Sequence, residues 1–343
     1  MDTRFDTGDR DTPYTLTGSD ATGILSSTRL VMERSSHVRI NFGQVERLCE
    51  RWQAEGWKNR VDAPPWDTHY HFHDGTERTV NWLLVLDALN FCFWSEKGQP
   101  RWTIDYQGER LDGYWAEAAA LKRSVEEGLP LWDAEFLSTI SEEAMAHIFR
   151  GQRIIPLFEQ RIANAREVGR VLLERYDGRF ARVIEEAGGS AVRLALLLAE
   201  QFSSFNDVAT YRQHTIRFLK RAQICAADVH NAFAGQQWGT FTDYDQLTAF
   251  ADYKLPQILR HQKVLEYDAE LARRIDNQEL IAAGSEEEVE IRAATIWACE
   301  LLRREVQRRG YQANAADIDQ QLWVAAQNTA SMLPYHRTRT LYY

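Results

Sequence analysis

Cysteine is scarce in this sequence and is not arranged for metal binding. The four cysteines, Cys49, Cys92, Cys225 and Cys299, are far apart in a chain of 343 residues, and no two of them form a C-x-x-C pair. This spacing excludes a zinc ribbon and gives no sign of a disulfide framework. We expect each cysteine to be a small buried apolar side chain in the reducing environment of the cytoplasm.

The sequence also lacks an excess of positive charge and any long apolar run. Lys and Arg number 40 against 50 Asp and Glu, which gives a formal net charge of -10. Proteins that bind nucleic acids irrespective of sequence use Lys and Arg to neutralise phosphates, so direct DNA binding is not expected. The longest apolar stretches, residues 82–86 and 194–199, are too short to span a membrane. We therefore expect a cytoplasmic protein without a membrane segment.

No segment rich in Gly, Ser or Pro interrupts residues 23–343, although such linkers usually mark domain boundaries. We expect one large domain there, preceded by a mobile arm over residues 1–22, which lack hydrophobic periodicity. Apolar residues make up 44% of the chain and charged residues 26%, as in an ordinary globular protein. We also expect this domain to be a monomer.

Hydrophobic periodicity predicts a mainly α-helical domain with one small β-hairpin, which is centred on Gln107 and Gly108. Residues 79–93 are apolar on more than one side, which indicates a buried helix. Further helices are predicted at residues 114–127, 141–149, 157–176, 180–186, 191–200, 218–233 and 243–250.

Two helices in the last third of the chain have recognisable starts. Pro256 is well placed as the first residue of a helix and predicts a long one that ends near Ile275. Ser285 and Glu288 have the spacing of a capping box and predict a second helix that ends near Arg309.

Three histidines, His69, His71 and His73, alternate along the chain. In a strand this alternation would project all three imidazoles to one side, with a spacing that could hold zinc. Asp74 and Gly75 follow as a turn signal, however, and no H-E-x-x-H motif or further set of acidic ligands is nearby. We expect no metal here, and a metal hydrolase built on these histidines is kept as an alternative.

Two aspartates stand among apolar neighbours. At helical spacing, Asp228 falls on the same face as Ile224 and Cys225. Burying an unpaired charge costs several kcal/mol, so such a carboxylate either has a partner, for which Arg221 is available, or is held there for catalysis. Asp252 lies in the connection just ahead of a predicted helix.

Aromatic residues follow the predicted buried helix at residues 90–94. Phe93 and Trp94 could form a slot that clamps a planar base, since each stacked ring contributes about 1 to 3 kcal/mol. The alternative is that they fill the core.

Several blocks of residues along the chain resemble the sequence motifs of one protein family. They are residues 25–27, 87–95, 113–115, 218–228, 250–257, 288–293 and 336–343. Together they resemble the queuosine salvage proteins, the queuosine 5′-phosphate N-glycosylase/hydrolase family, over about residues 23–343. The resemblance implies a fold similar to the helical DNA glycosylases and release of the base queuine from its nucleotide, with no cofactor and no metal. A non-catalytic module that binds a modified nucleoside or tRNA is the alternative.

The resemblance also implies roles for the two acids. Breaking an N-glycosidic bond places positive charge on the ribose and negative charge on the base, so a carboxylate is needed beside the sugar. Asp228 is the first choice for that carboxylate and for the general base, and Asp252, with its neighbour Tyr253, for binding the guanine-like edge of queuine. The alternative is that Asp228 binds the queuine base instead. Cations expected to bind the 5′-phosphate are Lys220, Arg221, Lys254, Arg337 and Arg339. The last two belong to a tail dense in tyrosine, residues 335–343, that we expect to be docked.

Overall fold

The structure is a computed structural model that describes residues 13–57 and 66–343. Over these ranges the chain is mainly α-helical, as predicted, and it has three small two-stranded sheets where one β-hairpin was predicted. The helices are α1 (Ile24–Met32), α2 (Phe42–Ala54), α3 (Glu77–Leu89), α4 (Gly113–Glu126), α5 (Ala134–Ser138), α6 (Glu142–Ile148), α7 (Phe158–Tyr176), α8 (Phe180–Ala187), α9 (Ala191–Gln201), α10 (Lys220–Ala232), α11 (Lys254–His261), α12 (Ala269–Asp276), α13 (Glu286–Arg308) and α14 (Ala315–Asn328).

The strands pair antiparallel, β1 (Val38–Ile40) with β6 (Leu265–Tyr267), β2 (Thr103–Tyr106) with β3 (Glu109–Asp112), and β4 (Val208–Tyr211) with β5 (His214–Arg217). The β2–β3 hairpin is the predicted one. Its two turn residues, Gln107 and Gly108, both have positive φ, at 48° and 86°, which matches the right-handed twist of the strands. The hairpin leads directly into α4.

Two helices form the centre of the fold because they are apolar on nearly every side. In α3, every residue from Thr79 to Leu89 is buried, and the helix packs against α4, α7, α8 and α10. In α13, most residues from Glu288 to Leu302 are buried, and the helix packs against α1, α2, α11 and α14. The chain between these helices supplies α10 and α11, which carry the two aspartates singled out above.

The predicted long helix from Pro256 to Ile275 is wrong. Helix α11 starts two residues earlier and ends at His261, where Lys263 takes a left-handed φ of 61°. The Val264 N–H then donates to the Leu259 carbonyl at 2.9 Å, and the Lys263 N–H donates to the Arg260 carbonyl. This is a Schellman stop, which usually has glycine at the left-handed position. Because lysine stands there, the sequence showed no stop signal.

Three smaller features also differ from expectation. Residues 243–250 form only a 3-10 turn at Tyr244–Gln246, and β4 and β5 were not predicted. Ser285 does cap α13, since its hydroxyl accepts from the Glu288 N–H, but the Glu288 carboxylate accepts from Gly284 instead of Ser285. The capping box is therefore only half formed.

The two ends of the described chain pack onto the core. Residues 1–12 of the predicted arm lie outside the described residues, and Tyr14 packs its ring edge-on against Trp297 with 5.4 Å between ring centroids. The terminal tail is docked, as expected: Tyr343 is buried, its carbonyl accepts from the Cys92 N–H, and its hydroxyl donates to Glu288 at 2.8 Å. Among the described residues, no helix has both the length and the apolar character needed to cross a bilayer.

Candidate functional site

A cavity of about 880 Å³ opens between α10, α14, the start of α4 and the connection that precedes α11. Asp228 and Asp252 both line it, together with Phe93, Tyr253 and Lys254. The structure thus brings five of the ten residues proposed from the sequence to one cavity. Its volume falls within the range of small-molecule sites.

Asp228 lies in the third turn of α10, where it is 8% exposed. Among the described residues its Oδ2 atom has no hydrogen-bond partner. Burial, with a smaller effect from the nearby negative charge of Asp87, raises the pKa of Asp228 well above its usual value. The Arg221 guanidinium does not pair with it, because this group donates to the backbone carbonyls of Asp87, Ala88 and Ser204. Asp228 is therefore a buried acid held at a cavity wall without a structural ion pair to Arg221.

Asp252 caps the first turn of α11 from the connection before it. Its Oδ1 atom accepts from the N–H groups of Lys254 and Leu255, at 2.8 and 2.9 Å. Both bonds go to the same oxygen, and the residue lines the cavity. Burial raises the pKa of Asp252, and the positive charge of Lys220 opposes that rise.

One buried guanidinium supports both acids. Arg292 of α13 donates to Asp207, which in turn accepts from the Lys220 N–H at the start of α10. The same guanidinium donates from Nε to the Ala251 carbonyl, next to Asp252. The start of the Asp228 helix and the connection that carries Asp252 are thereby tied to a single point on α13.

A layer of buried charge lies behind the cavity wall. Asp87 on α3 and Glu117 on α4 are fully buried, and burial raises the pKa of Asp87 to about 7 and that of Glu117 to about 8. Arg161 pairs with Glu117 at 3.1 Å. Lys220 is also buried, and the negative charges of Asp252 and Asp87 oppose the fall in its pKa that burial causes. This layer sets the electrostatic field behind the two cavity acids.

Two cations meet at one end of the cavity. Arg101 donates to Asp112 at 2.9 Å and to the Tyr335 hydroxyl at 3.2 Å, and the ammonium group of Lys254 is 5.5 Å from the centre of the Tyr335 ring. Burial, and then the positive charge of Arg101, lowers the pKa of Lys254. All four residues line the cavity. An anionic group bound here would be near the positive charges of Arg101 and Lys254 and the negative charge of Asp112.

Aromatic rings form much of the remaining wall. Tyr114 and Trp115, from the first turn of α4, pack against Trp323 of α14 with centroid distances of 6.3 and 5.8 Å. Tyr253 packs against Tyr335 at 4.8 Å. Such surfaces suit a flat ring system, which gains about 1 to 3 kcal/mol for each stacked contact.

The other residues proposed from the sequence lie outside the cavity lining. Trp94 does not line the cavity and is buried in a small cluster with Phe91 and Cys92. The guanidinium groups of Arg337 and Arg339 lie over its ring. Arg337 donates to Gln278, and Arg339 pairs with Glu96.

Arg221 and Lys220 are also set back from the cavity lining, because both are buried in the core. The Arg221 guanidinium binds the backbone carbonyls that the end of α3 leaves without helical partners. Its positive charge therefore lies at the helix end, behind the residues that line the cavity.

The three histidines do not form a strand or a metal site. Residues 69–73 form turns and irregular chain, His69 packs on Tyr70, and His73 lies 3.0 Å from the Ala232 carbonyl. Only His71 lines the cavity. In the described part of the chain, the group of side chains with metal-binding spacing contains none of these three.

Sequence reasoning missed the contribution of α14 and of Arg101. Asp319, Gln320, Trp323 and Gln327 line the cavity at helical spacing, and Asp319 also accepts from the Phe250 N–H at 2.7 Å. The period of three and four along α14 was the available signal. For Arg101, which precedes the hairpin, no local pattern pointed to a site.

Fold and site together define a mainly helical protein with a cavity lined by aromatic rings and carboxylates, which suits a flat polar ligand. The chain belongs to the queuosine salvage protein family, whose model matches residues 69–343. It is 48% identical over 325 residues to the queuosine 5′-phosphate N-glycosylase/hydrolase of Sphaerobacter thermophilus, covering 94% of this chain and 98% of that protein. The proteins of that name from Mus musculus and Schizosaccharomyces pombe are 34% and 31% identical, covering 92% and 93% of this chain and 97% and 99% of theirs.

Proposed function

We propose that this protein is a hydrolase that cleaves the N-glycosidic bond of queuosine 5′-phosphate and releases queuine for salvage into tRNA. The observation that carries the proposal is one aromatic-walled cavity lined by two acids, the buried Asp228 and the partly buried Asp252. Membership of the family supports the substrate, since the relatives are named for it. No cofactor is needed, because water and acids suffice for this hydrolysis.

Asp228 acts on the sugar side of the bond. As the bond to the base breaks, positive charge develops on C1′, and a carboxylate beside it stabilises that charge most in the transition state. The same carboxylate takes a proton from the attacking water. Its raised pKa makes its carboxylate form a stronger base than that of an exposed aspartate.

Asp252 binds the base. The guanine-like edge of queuine offers a ring N–H and an exocyclic amine, and a carboxylate can accept from both. Phe93 and Tyr253 flank the base, and the Asp252 oxygen that does not cap α11 is the one that meets the ligand.

Arg101 and Lys254 bind the 5′-phosphate. Among the cations considered, these two lie together on the cavity wall, and charge-assisted hydrogen bonds to phosphate are among the strongest that side chains make. The competing acceptor, Asp112, already neutralises part of the Arg101 charge.

A non-catalytic module that binds a modified nucleoside is the competing function. The acidic chain supports a free mononucleotide over duplex DNA or intact tRNA as ligand in either case. We further propose that the protein works as a monomer in the cytoplasm.

Liquid chromatography of purified protein incubated with queuosine 5′-phosphate, queuosine and guanosine 5′-phosphate tests the proposal. We expect queuine from the first, less from the second and no base from the third. Asp228→Asn is the control for a contaminating activity. Tight binding of queuosine 5′-phosphate without release of queuine would favour the binding module.

A further inference from the structure

The orientation of one hydroxyl group in the cavity is fixed by a buried histidine. His71 is 3% exposed, with Nδ1 2.6 Å from the backbone carbonyl of Asp67 and Nε2 2.8 Å from the hydroxyl of Tyr114. A carbonyl oxygen can only accept, so Nδ1 carries the hydrogen. Burial lowers the pKa of His71 to about 4, so the ring is neutral near pH 7. Nε2 is therefore an acceptor, and Tyr114 donates to it.

This tautomer determines what Tyr114 can offer to a ligand. Its single hydroxyl hydrogen is used by His71, which leaves only oxygen lone pairs for the cavity. The ring of His71 is held in place by Trp66 and Trp115, at centroid distances of 4.3 and 5.9 Å, so the arrangement does not depend on a mobile side chain. Tyr114 is thus a fixed acceptor that cannot donate.

Tyr114 and Asp228 face the same cavity from α4 and α10. Of the charges that act on the Tyr114 hydroxyl, that of Asp228 has the largest effect and, after burial, contributes most to raising the pKa of this group. Two acceptors therefore line the cavity in which the proposed reaction needs a nucleophile. A water molecule has two hydrogens and can satisfy both.

We propose that Tyr114 is a further catalytic residue that orients the attacking water, with His71 as its positioning residue. This inference rests on the proposed hydrolysis. One water hydrogen is bound by Asp228 and the other by the Tyr114 oxygen, which directs a lone pair of the water oxygen at C1′. The bond from that oxygen to C1′ forms, and the C1′–N bond breaks with its electron pair on the base. The proton goes to Asp228 and then, through solvent, to the base nitrogen.

The proposal predicts a preference for water over alcohols. Methanol has one O–H hydrogen, which it donates to Asp228, and it has none for Tyr114. With Tyr114 intact, water gains a hydrogen bond that methanol cannot make. In Tyr114→Phe that advantage disappears, and the ratio of methyl ribofuranoside 5-phosphate to ribose 5-phosphate formed in dilute methanol should rise several-fold.

Turnover of queuosine 5′-phosphate by Tyr114→Phe should fall roughly 10- to 100-fold in kcat, the cost of one lost hydrogen bond to the reacting water, while KM changes little. Tyr70→Phe is the matched control. Tyr70 belongs to the same aromatic cluster, but its hydroxyl donates to Glu109 at 2.6 Å and it does not line the cavity. Its kcat and product ratio should equal those of the parent protein.

His71→Phe tests the positioning role and serves if Tyr114→Phe does not fold. This substitution frees the Tyr114 hydroxyl to donate, so kcat should fall and the share of methyl ribofuranoside 5-phosphate should increase. The double variant with His71→Phe and Tyr114→Phe should have a kcat no lower than that of either single variant. An unchanged product ratio in both single variants would overturn this inference alone. Failure of the parent protein to release queuine would instead overturn the proposed function and this inference with it.

Discussion

Arg292 and Asp207 form a buried bidentate ion pair, with Nη1 2.9 Å from Oδ1 and Nη2 2.6 Å from Oδ2. Asp207 also accepts from the N–H of Lys220, the first residue of α10, and Arg292 also donates to the Ala251 carbonyl. Asp228 is carried by α10 and Asp252 follows Ala251, so the relative placement of the two acids depends on this pair. The planar fork of arginine binds the carboxylate with two parallel bonds and the carbonyl with a third, a geometry that the compact ammonium group of lysine cannot reproduce.

Arg292→Lys should therefore damage both stability and catalysis. The charge is kept, but Asp207 and the Ala251 carbonyl lose directed partners in a dry environment, and we expect a loss of about 1 to 3 kcal/mol in the free energy of unfolding. Urea titration and single-turnover kinetics on the same preparation measure both effects. Arg273→Lys is the control, since Arg273 pairs with Glu270 at the surface, and it should leave both measurements unchanged.

Substitutions of the two acids should affect different measured parameters, namely turnover for Asp228 and both queuine binding and turnover for Asp252. Asp228→Asn keeps the size of the side chain but removes the charge that stabilises the breaking bond, so kcat should fall by at least about 100-fold while queuine still binds. Asp252→Ala should weaken queuine binding as well as turnover. Single-turnover rates and queuine affinities for both variants decide the assignment. Near-normal turnover by Asp228→Asn would make Asp252 the better candidate for the catalytic general base.

Local patterns in the sequence were enough for most of the fold, and the two acids that they singled out line one cavity. The apolar residues that share a face with Asp228 recur at helical spacing, which can be recognised without the structure. The tight hairpin at Gln107 is likewise marked by its turn residues. The end of α11 was missed because Lys263 takes a conformation that usually requires glycine. Arg221 was assigned to a ligand because a sequence does not reveal that its partners are backbone carbonyls.

Tertiary packing decided the remainder of the site. Arg101 precedes a hairpin, and Tyr335 lies more than 200 residues further on, yet they are 3.2 Å apart. His71 gains its neutral state from burial among indole rings, which only the assembled fold provides. Such properties follow from contacts between distant segments and have no local sequence pattern.

Asp87 should make stability depend on pH in an unusual direction. Burial raises its pKa from 3.8 to about 7, so the folded state binds this proton more tightly than the unfolded state does. Its contribution to stability is complete below about pH 4 and is lost as the pH rises through 7, at about 1.4 kcal/mol per unit of pKa shift.

Asp87→Asn cannot ionise and should not show this loss. The free energy of unfolding of the variant, minus that of the parent protein, should increase between pH 5 and pH 8. Urea titrations at four pH values in that range measure the difference. Asp105→Asn, at an exposed position, is the control and should give a flat difference. A difference that stays flat with pH would show that Asp87 is held in its ionised form, because such a carboxylate does not titrate in this range.

The cation pair in the cavity should distinguish a nucleotide from a nucleoside. If Arg101 and Lys254 bind the 5′-phosphate, Arg101→Gln and Lys254→Gln should each raise KM for queuosine 5′-phosphate by about 10-fold or more, since a charge-assisted hydrogen bond contributes roughly 1.5 to 3 kcal/mol. Their kcat/KM for queuosine, which has no phosphate, should change little, so the preference for the nucleotide should shrink. Arg339→Gln is the matched control, because this arginine was also a phosphate candidate from the sequence but pairs with Glu96 outside the cavity. It should leave the preference intact, and loss of the preference in Arg339→Gln but not in Arg101→Gln would move the phosphate site to the terminal tail.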